Sequence, residues 1–269
     1  MIRYLRNKYD FLKLFVLTMQ NPLYLSRLDR IKKKKLKLIE KNGYLKLDNL
    51  TSNNNVEKLK NIITKKIANK EAKFIENQNI WKISYLDDFE FLLKEICSEE
   101  ILQLISSYFK RSIYLSDVDI RRVLPANYRD IHSKGKSNSE WHKDIRGKQI
   151  KIMIYLTDVN ENDSFFSFIP GTHKKKIYDF KKSRFEDKDI MLNYETKWTG
   201  KAGEMMLFDT NIIHRLNRRQ GAKVRDTITL YFTPGQSLRK IFLDNDKIDK
   251  IESFKHKNLF KNSFFEVRF

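Results

Sequence analysis

The chain has five histidines, His132, His142, His173, His214 and His256, and two of them stand where metal chemistry is possible. In Trp141-His142-Lys143-Asp144 an imidazole and a carboxylate lie two residues apart, a spacing that puts both on one face of a strand. His214 comes 70 residues after Asp144 and closes the run Asp209-Thr210-Asn211-Ile212-Ile213-His214. Two imidazoles and one carboxylate on one side of an ion leave three adjacent positions open. That arrangement suits Fe(II), which must hold a co-substrate and oxygen together. Arg225 follows His214 by eleven residues and opens the run from Arg225 to Phe232. Alternation there gives one face to Arg225, Thr227, Thr229 and Tyr231 and the other to Ile228, Leu230 and Phe232. A guanidinium facing into a barrel mouth needs an anion, because a buried unpaired charge is costly. A dicarboxylate co-substrate supplies one, held by the bidentate fork.

Such a set has to be assembled by strands. Residues 113–124, 148–157, 164–169, 189–194, 204–208, 212–214 and 225–233 read as short β-type runs. Turn residues separate them: 160–163, Pro170-Gly171, Gly200, Gly203 and Gln220-Gly221. Many short strands at modest spacing indicate a β-sandwich or barrel. The first ~110 residues are mixed and helix-rich by their periodicity. Leu5, Tyr9, Leu12 and Val16 recur at helical spacing over 4–17, residues 43–48 alternate as a strand, and 56–68 and 89–109 read as helices. Trp81 and Tyr85 lie between those two helices and read as core. Residues 236–269 form a tail rich in Phe and Lys, read as docked on the domain. The division expected is a basic helical segment 1–40, a β domain with its supporting helices over 41–235, and the extension 236–269.

The ordered set of segments resembles the phytanoyl-CoA dioxygenase-like family of Fe(II)/2-oxoglutarate-dependent oxygenases. The resemblance rests on Trp141 to Asp144, Lys151 to Val159, Phe165 to His173 with its Ile169-Pro170-Gly171-Thr172-His173 end, Phe208 to Arg215, and Arg225. Gly43-Tyr44 is similar to the family's opening strand, so the likeness spans about residues 40–235. It implies a mainly β protein with flanking helices (α+β), a double-stranded β-helix of the jelly-roll or cupin-like kind with an N-terminal helical region. It implies His142, Asp144 and His214 as iron ligands, Arg225 as the group binding the far carboxylate of 2-oxoglutarate, and Thr227 as its helper. It implies Fe(II), 2-oxoglutarate and O2 as cofactors, with hydroxylation of an unactivated C–H bond and release of succinate and CO2. His173 belongs to the pattern too and reads as a loop-stabilising hydrogen-bond partner rather than a ligand. Asp144 argues against the related halogenases, which replace this carboxylate. The chain departs from the pattern in one loop, where many relatives have Asn-Gly-Pro and this one has Asn162-Asp163-Ser164.

Charge bears on the substrate. Lys and Arg number 54 against 34 Asp and Glu, a net +20. An anionic partner follows: a phosphorylated or lipid-linked saccharide, a lipid, or a coenzyme A or nucleotide conjugate. Lys174, Lys175 and Lys176 on one side, and Arg215, Arg218, Arg219 and Lys223 on the other, flank the expected mouth and read either as substrate-binding cations or as part of a generally basic surface. Residues 1–40 carry eleven Lys/Arg and three Asp/Glu. They read either as an amphipathic helix on an anionic membrane or as a helix packed on the domain. The competing class is a non-catalytic basic barrel gripping nucleic acid or membrane. Nucleic acid would call for aromatics interleaved with cations on one sheet face, and only the tail faintly has them. A single cysteine, Cys97, excludes a disulfide framework and a cysteine zinc cluster and points to a reducing compartment. The early apolar run 11–19 contains Lys13 and is too short to span a bilayer, and no cleavage site follows it. The expected location is the cytoplasm, with peripheral contact at the inner face of a membrane as an option.

Overall fold

A computed structural model describes residues 28–47, 52–83, 91, 95–110, 113–125, 139–144, 149–174, 183–187, 190 and 192–234. Three helices, α1 (Arg30–Asn42), α2 (Asn53–Ala68) and α3 (Glu99–Phe109), accompany twelve strands among the described residues. The strands are β1 (Tyr44–Leu47), β2 (Lys73–Ile75), β3 (Ile80–Ile83), β4 (Ile113–Val123), β5 (Trp141–His142), β6 (Ile150–Tyr155), β7 (Phe165–Ile169), β8 (Arg184–Phe185), β9 (Thr196–Trp198), β10 (Met205–Asp209), β11 (Ile213–Asn217) and β12 (Arg225–Pro234). They form a sheet ordered β1-β10-β6-β12-β4-β3-β2 and a second ordered β8-β5-β11-β7-β9, with every named pair antiparallel.

The alternation expected for β12 holds and divides the core in two. Ile228, Leu230 and Phe232 join Val118, Ile120, Ile152, Ile154 and Leu207 on the outer face of the large sheet. There they meet Leu36 and Ile39 of α1, Leu59 and Ile63 of α2, and Leu104 and Ile105 of α3. The inner face of the large sheet brings Tyr155, Met206 and Phe208 against Phe166, Phe168 and Trp198 of the small sheet. The site lies between these sheets. The boundary expected at residue 40 falls within α1, whose buried Leu36 and Ile39 belong to the domain core. Lys33, Lys34 and Lys37 on its opposite side are exposed.

Capping residues set the helix limits. Asp29 accepts from Lys32 N at 2.8 Å to start α1, and Gly43, at φ 82°, ends it. Ser98 has extended backbone and caps α3, so the helix expected over 89–109 is interrupted and begins afresh at Glu99. Within the strand expected over 189–194, Leu192–Tyr194 is a 3-10 turn instead, all three of its residues exposed and none of them paired in a ladder. Strands β2, β3, β8 and β9 span two to four residues, too few to show a period, and β5 ends at His142, so the strand whose face was expected to carry both His142 and Asp144 stops short of Asp144. Trp81 lies half-buried on β3 against Phe74, ring centroids 4.8 Å apart. The 4–17 helix, Tyr85, His132, His256, Lys175, Lys176 and the tail 236–269 lie outside the described residues. No helix among the described residues is long and apolar enough to cross a membrane.

Candidate metal centre

Strands β5 and β11 pair so that His142 stands directly opposite His214, with ring centroids 4.4 Å apart. Asp144 follows β5 by two residues. Its backbone N–H donates to Thr210 O at 3.1 Å, which ties it to the turn between β10 and β11. That turn is itself held: Asp209 accepts from Asn211 N at 2.7 Å and from the Tyr108 hydroxyl of α3 at 2.6 Å. Thr172 holds the other side, its hydroxyl accepting from Ile213 N at 2.8 Å and its carbonyl accepting from Lys143 Nζ at 2.8 Å. One ligand atom each from His142, Asp144 and His214 lies within 4.8 Å of the others, close enough to serve one ion.

The imidazoles are oriented from behind. His142 Nδ1 lies 2.7 Å from Glu140 O and His214 Nδ1 lies 2.8 Å from Ile212 O. A carbonyl can only accept, so each proton sits on Nδ1 and each Nε2 lone pair is left for a metal. Burial lowers the pKa of both rings, that of His214 to about 3, with the neighbouring His142 adding to the effect. Both are therefore neutral ligands at neutral pH. Burial works to raise the Asp144 carboxyl, but the Lys151 ammonium and His214 outweigh it and hold the group well below the usual carboxylate range. Its two oxygens are divided: Oδ2 accepts from Lys151 Nζ, and Oδ1 is 4.0 Å from His214 Nε2.

Arg225 starts β12 on the inner face and is buried. One guanidinium N–H donates to Ser164 O at 3.0 Å, and the group lies 5.8 Å from the Tyr155 ring. Its Nε is buried with no hydrogen-bond partner. An orphaned, desolvated guanidinium N–H is costly, and a carboxylate is the group that would satisfy it. The loop that departs from the usual Asn-Gly-Pro is what presents Ser164: Asp163 accepts from Asn160 N at 2.9 Å and from Lys223 N at 3.1 Å. Thr227 is buried one row along the same face, opposite Tyr155 and Arg121. The donor set thus fits an iron ion, and the unpartnered Nε of Arg225 is a donor suited to a carboxylate.

A family model described as phytanoyl-CoA dioxygenase (PhyH) matches residues 39–227. The chain belongs to the phytanoyl-CoA dioxygenase family. Its fold is similar to solved structures at low identity. The epimerase SnoN from nogalamycin biosynthesis, solved with Fe3+, alpha ketoglutarate and nogalamycin RO, has a TM-score of 0.55 and 13% identity over 80% of this chain and 90% of that one. HygX from Streptomyces hygroscopicus, with nickel, 2-oxoglutarate and hygromycin B, has a TM-score of 0.55 and 12% identity over 77% and 88%. The apo form of EctD from S. alaskensis has a TM-score of 0.59 and 15% identity over 75% and 76%. Comparison of the sequence with curated proteins returns no significant match.

In this family member His173 stands apart from the three donors. Its Nε2 donates to Glu40 O at 3.2 Å and its ring lies against Gly43, joining the Pro170-Gly171 turn to α1. The cations read from the sequence as substrate contacts are scattered. Lys174 is exposed, and Arg219 is exposed with its guanidinium 5.5 Å from the Phe165 ring. Arg215 alternates away from His214, lies 4.2 Å over Trp141, and pairs with Asp187 at 3.2 Å and Glu195 at 3.5 Å. Arg218 is buried and donates to the carbonyls of Gln78 and, at 3.2 Å, Leu124. Arg215 and Arg218 thus have protein partners, for the physical reason that one points outward from its strand and the other clamps two loops. Lys151 was missed. A lysine inside the otherwise apolar run Ile150–Tyr155 was its signal, since alternation places it with Met153 and Tyr155 on the inner face.

Proposed function

We propose that the protein is an Fe(II)/2-oxoglutarate-dependent hydroxylase acting on a C–H bond of a small, anionic substrate. The observation that carries the reading is the pairing, inside one barrel, of three convergent donors with a buried arginine whose Nε lacks a partner. In this reading His142, Asp144 and His214 hold the iron. Arg225 receives the far carboxylate of 2-oxoglutarate, with Thr227 beside it. Iron and 2-oxoglutarate together supply an oxidation by O2 that releases succinate and CO2 and attacks an unactivated C–H bond. The chain's own contribution is ligand geometry and dryness. Carbonyl-held imidazoles present neutral Nε2 atoms, and Phe166 and Phe208 pack 5.3 and 5.9 Å from the His214 ring and exclude water there. Family membership supports the reaction class, as do the metal and 2-oxoglutarate held by the similarly folded SnoN and HygX. The small molecules with those two proteins support a substrate of that size. The catalytic unit is taken as residues 41–235 with α1 packed on it, and a single buried thiol at Cys97 suits the cytoplasm.

The test is spectroscopic first. Anaerobic protein with Fe(II) and 2-oxoglutarate should develop a weak visible charge-transfer band. Admitting O2 with a panel of phosphorylated and carboxylated metabolites should then release succinate in a substrate-dependent way. A protein that binds neither iron nor 2-oxoglutarate would be a non-catalytic barrel.

A further inference from the structure

The carboxylate that the metal requires already has a partner inside the barrel. Lys151 Nζ donates to Asp144 Oδ2, and the lysine side chain is only 12% exposed. Its ammonium also lies 4.7 Å from the centroid of the Tyr231 ring, its cross-strand neighbour. Bringing a divalent cation onto Asp144 takes up that carboxylate's charge. A mostly buried ammonium, still hydrogen-bonded to Oδ2, is then left beside the metal with its charge only partly balanced, which is costly unless another anion arrives.

Among the described residues, no other carboxylate of this wall pairs with Lys151. Asp119, 2% exposed, is next along the inner face, opposite Thr229. Its Oδ2 accepts from Arg121 Nε at 2.7 Å and from the Tyr231 hydroxyl at 3.2 Å, and Oδ1 lies 3.7 Å from Lys82 Nζ. Oδ2 carries all of its hydrogen bonds, Oδ1 is buried without one, and its single charge already faces both Arg121 and Lys82. Asp117, opposite Tyr231, is exposed to solvent. The cations on this wall are more accessible than their organiser: Arg121 is 30% and Lys82 31% exposed. Asp144 is near enough for its charge to act on both Arg121 and Tyr231. The wall beside the metal centre is therefore a row of donors, Lys151, Tyr231 and Arg121, around one buried carboxylate whose charge is outnumbered by the cations beside it. Arg225 is on the same face but is assigned to the co-substrate, and Arg215 and Arg218 have partners elsewhere.

We propose that Lys151, with Arg121 beside it, binds an oxyanion of the substrate (phosphate, sulfate or carboxylate) once Asp144 engages the metal. This rests on the oxygenase reading above and moves substrate recognition from the basic loops to the inner wall of β4, β6 and β12. It also makes binding ordered, because the oxyanion site is created by metal binding. The substrate's anionic group would lie within a few ångströms of the metal, so the C–H bond attacked is one close to that group.

The test uses inorganic sulfate as the probe, titrated by calorimetry at constant ionic strength. The anaerobic Fe(II)–2-oxoglutarate protein should bind sulfate at least tenfold more tightly than EDTA-treated protein, with the charge-transfer band retained. Lys151→Met should keep the band and lose at least tenfold in sulfate affinity, Lys151→Arg should restore most of it, and Lys33→Gln/Lys34→Gln on the outer face of α1 should change nothing. Equal sulfate binding with and without metal overturns the inference, and this comparison needs no variant to fold. So does sulfate binding indifferent to Lys151→Met, loss of the band in that variant, or displacement of 2-oxoglutarate by sulfate, which would assign the site to the co-substrate. If the wild-type band never forms, the oxygenase reading falls and this inference with it. If the band forms and sulfate does not bind, only this inference falls.

Discussion

Nδ1–H of His142 and Nδ1–H of His214 each donate a hydrogen bond to a carbonyl two residues back, and that local contact decides what the rings can do. It leaves Nε2 as the only available donor and holds each ring in one orientation. Replacing His142, Asp144 or His214 by Ala should abolish the Fe(II)–2-oxoglutarate band and succinate release while leaving the circular dichroism spectrum intact; wild-type turnover by any of them would refute the metal assignment. Arg225→Lys should weaken 2-oxoglutarate by on the order of 1.5–3 kcal/mol, the value of a charge-assisted hydrogen bond, because an ammonium cannot reproduce the guanidinium fork. A titration of 2-oxoglutarate into the variant reads this directly, and an unchanged dissociation constant would mean that another cation holds the carboxylate. The lowered imidazole pKa values also set a pH dependence. His214 titrates near 6.5 when unfolded and at about 3 when folded, because burial disfavours its charged form. Between those values the unfolded chain binds the proton and the folded chain does not. Stability of the metal-free protein should therefore rise with pH across that window and level off above it. Melting temperatures of EDTA-treated protein at pH 5 and pH 7 check the sign, the lower one being expected at pH 5.

Two junctions hold the elements around the site. Gly43 turns α1 into β1 at φ 82°, and a Cβ there would stand 2.6 Å from His173 Nδ1. Gly43→Ala should cost about 1–3 kcal/mol from the left-handed backbone and the clash together. Adding His173→Ala should recover the steric part alone, which a urea titration of the single and double variants separates. The second junction joins the sheet to α2. Arg122 donates to both oxygens of the buried Asp226 at 2.9 and 2.8 Å and to Thr64 of α2 at 3.1 Å. Asp226→Ala leaves that guanidinium without its carboxylate and should destabilise by about 3 kcal/mol, the lower end for a broken buried pair. Loss within 0.5 kcal/mol would show that solvent replaces the carboxylate.

For the whole molecule, the two sheets keep most chemistry between them and most of the apolar mass outside, under the helices. In the proposed function, metal and co-substrate would draw on groups from both sheets, His142, Asp144 and His214 with the small sheet and Arg225 with the large one. Binding should therefore stabilise the domain as a unit. At one hundred times its dissociation constant a ligand adds about 2.7 kcal/mol. Fe(II) or Zn(II) with 2-oxoglutarate should raise the melting temperature in a concentration-dependent way, and 2-oxoglutarate without metal should do much less. A co-substrate effect as large without metal as with it would separate Arg225 from the metal centre.

The sequence by itself carried the candidate donors, the candidate arginine and the β class. His142 and Asp144 are two residues apart, Arg225 sits on a period-two face, short runs punctuated by turn residues indicate a sandwich or barrel, and the ordered segments resemble the phytanoyl-CoA dioxygenase family, which is what joins the distant His214 to the set. It also carried the apolar and polar faces of β12, which the packing then used as expected. Partners were beyond its reach. Lys151 meets Asp144 only because β6 runs beside β12 in the large sheet while Asp144 comes from the end of β5 in the small one. Arg218 looked like a loop cation until Gln78 and Leu124, about 140 and 94 residues away, came to take its donors. The tertiary structure decided which cations are spent on the protein and which face the site. A charge is assigned by what lies within a few ångströms of it, and in an antiparallel barrel those neighbours come from distant strands.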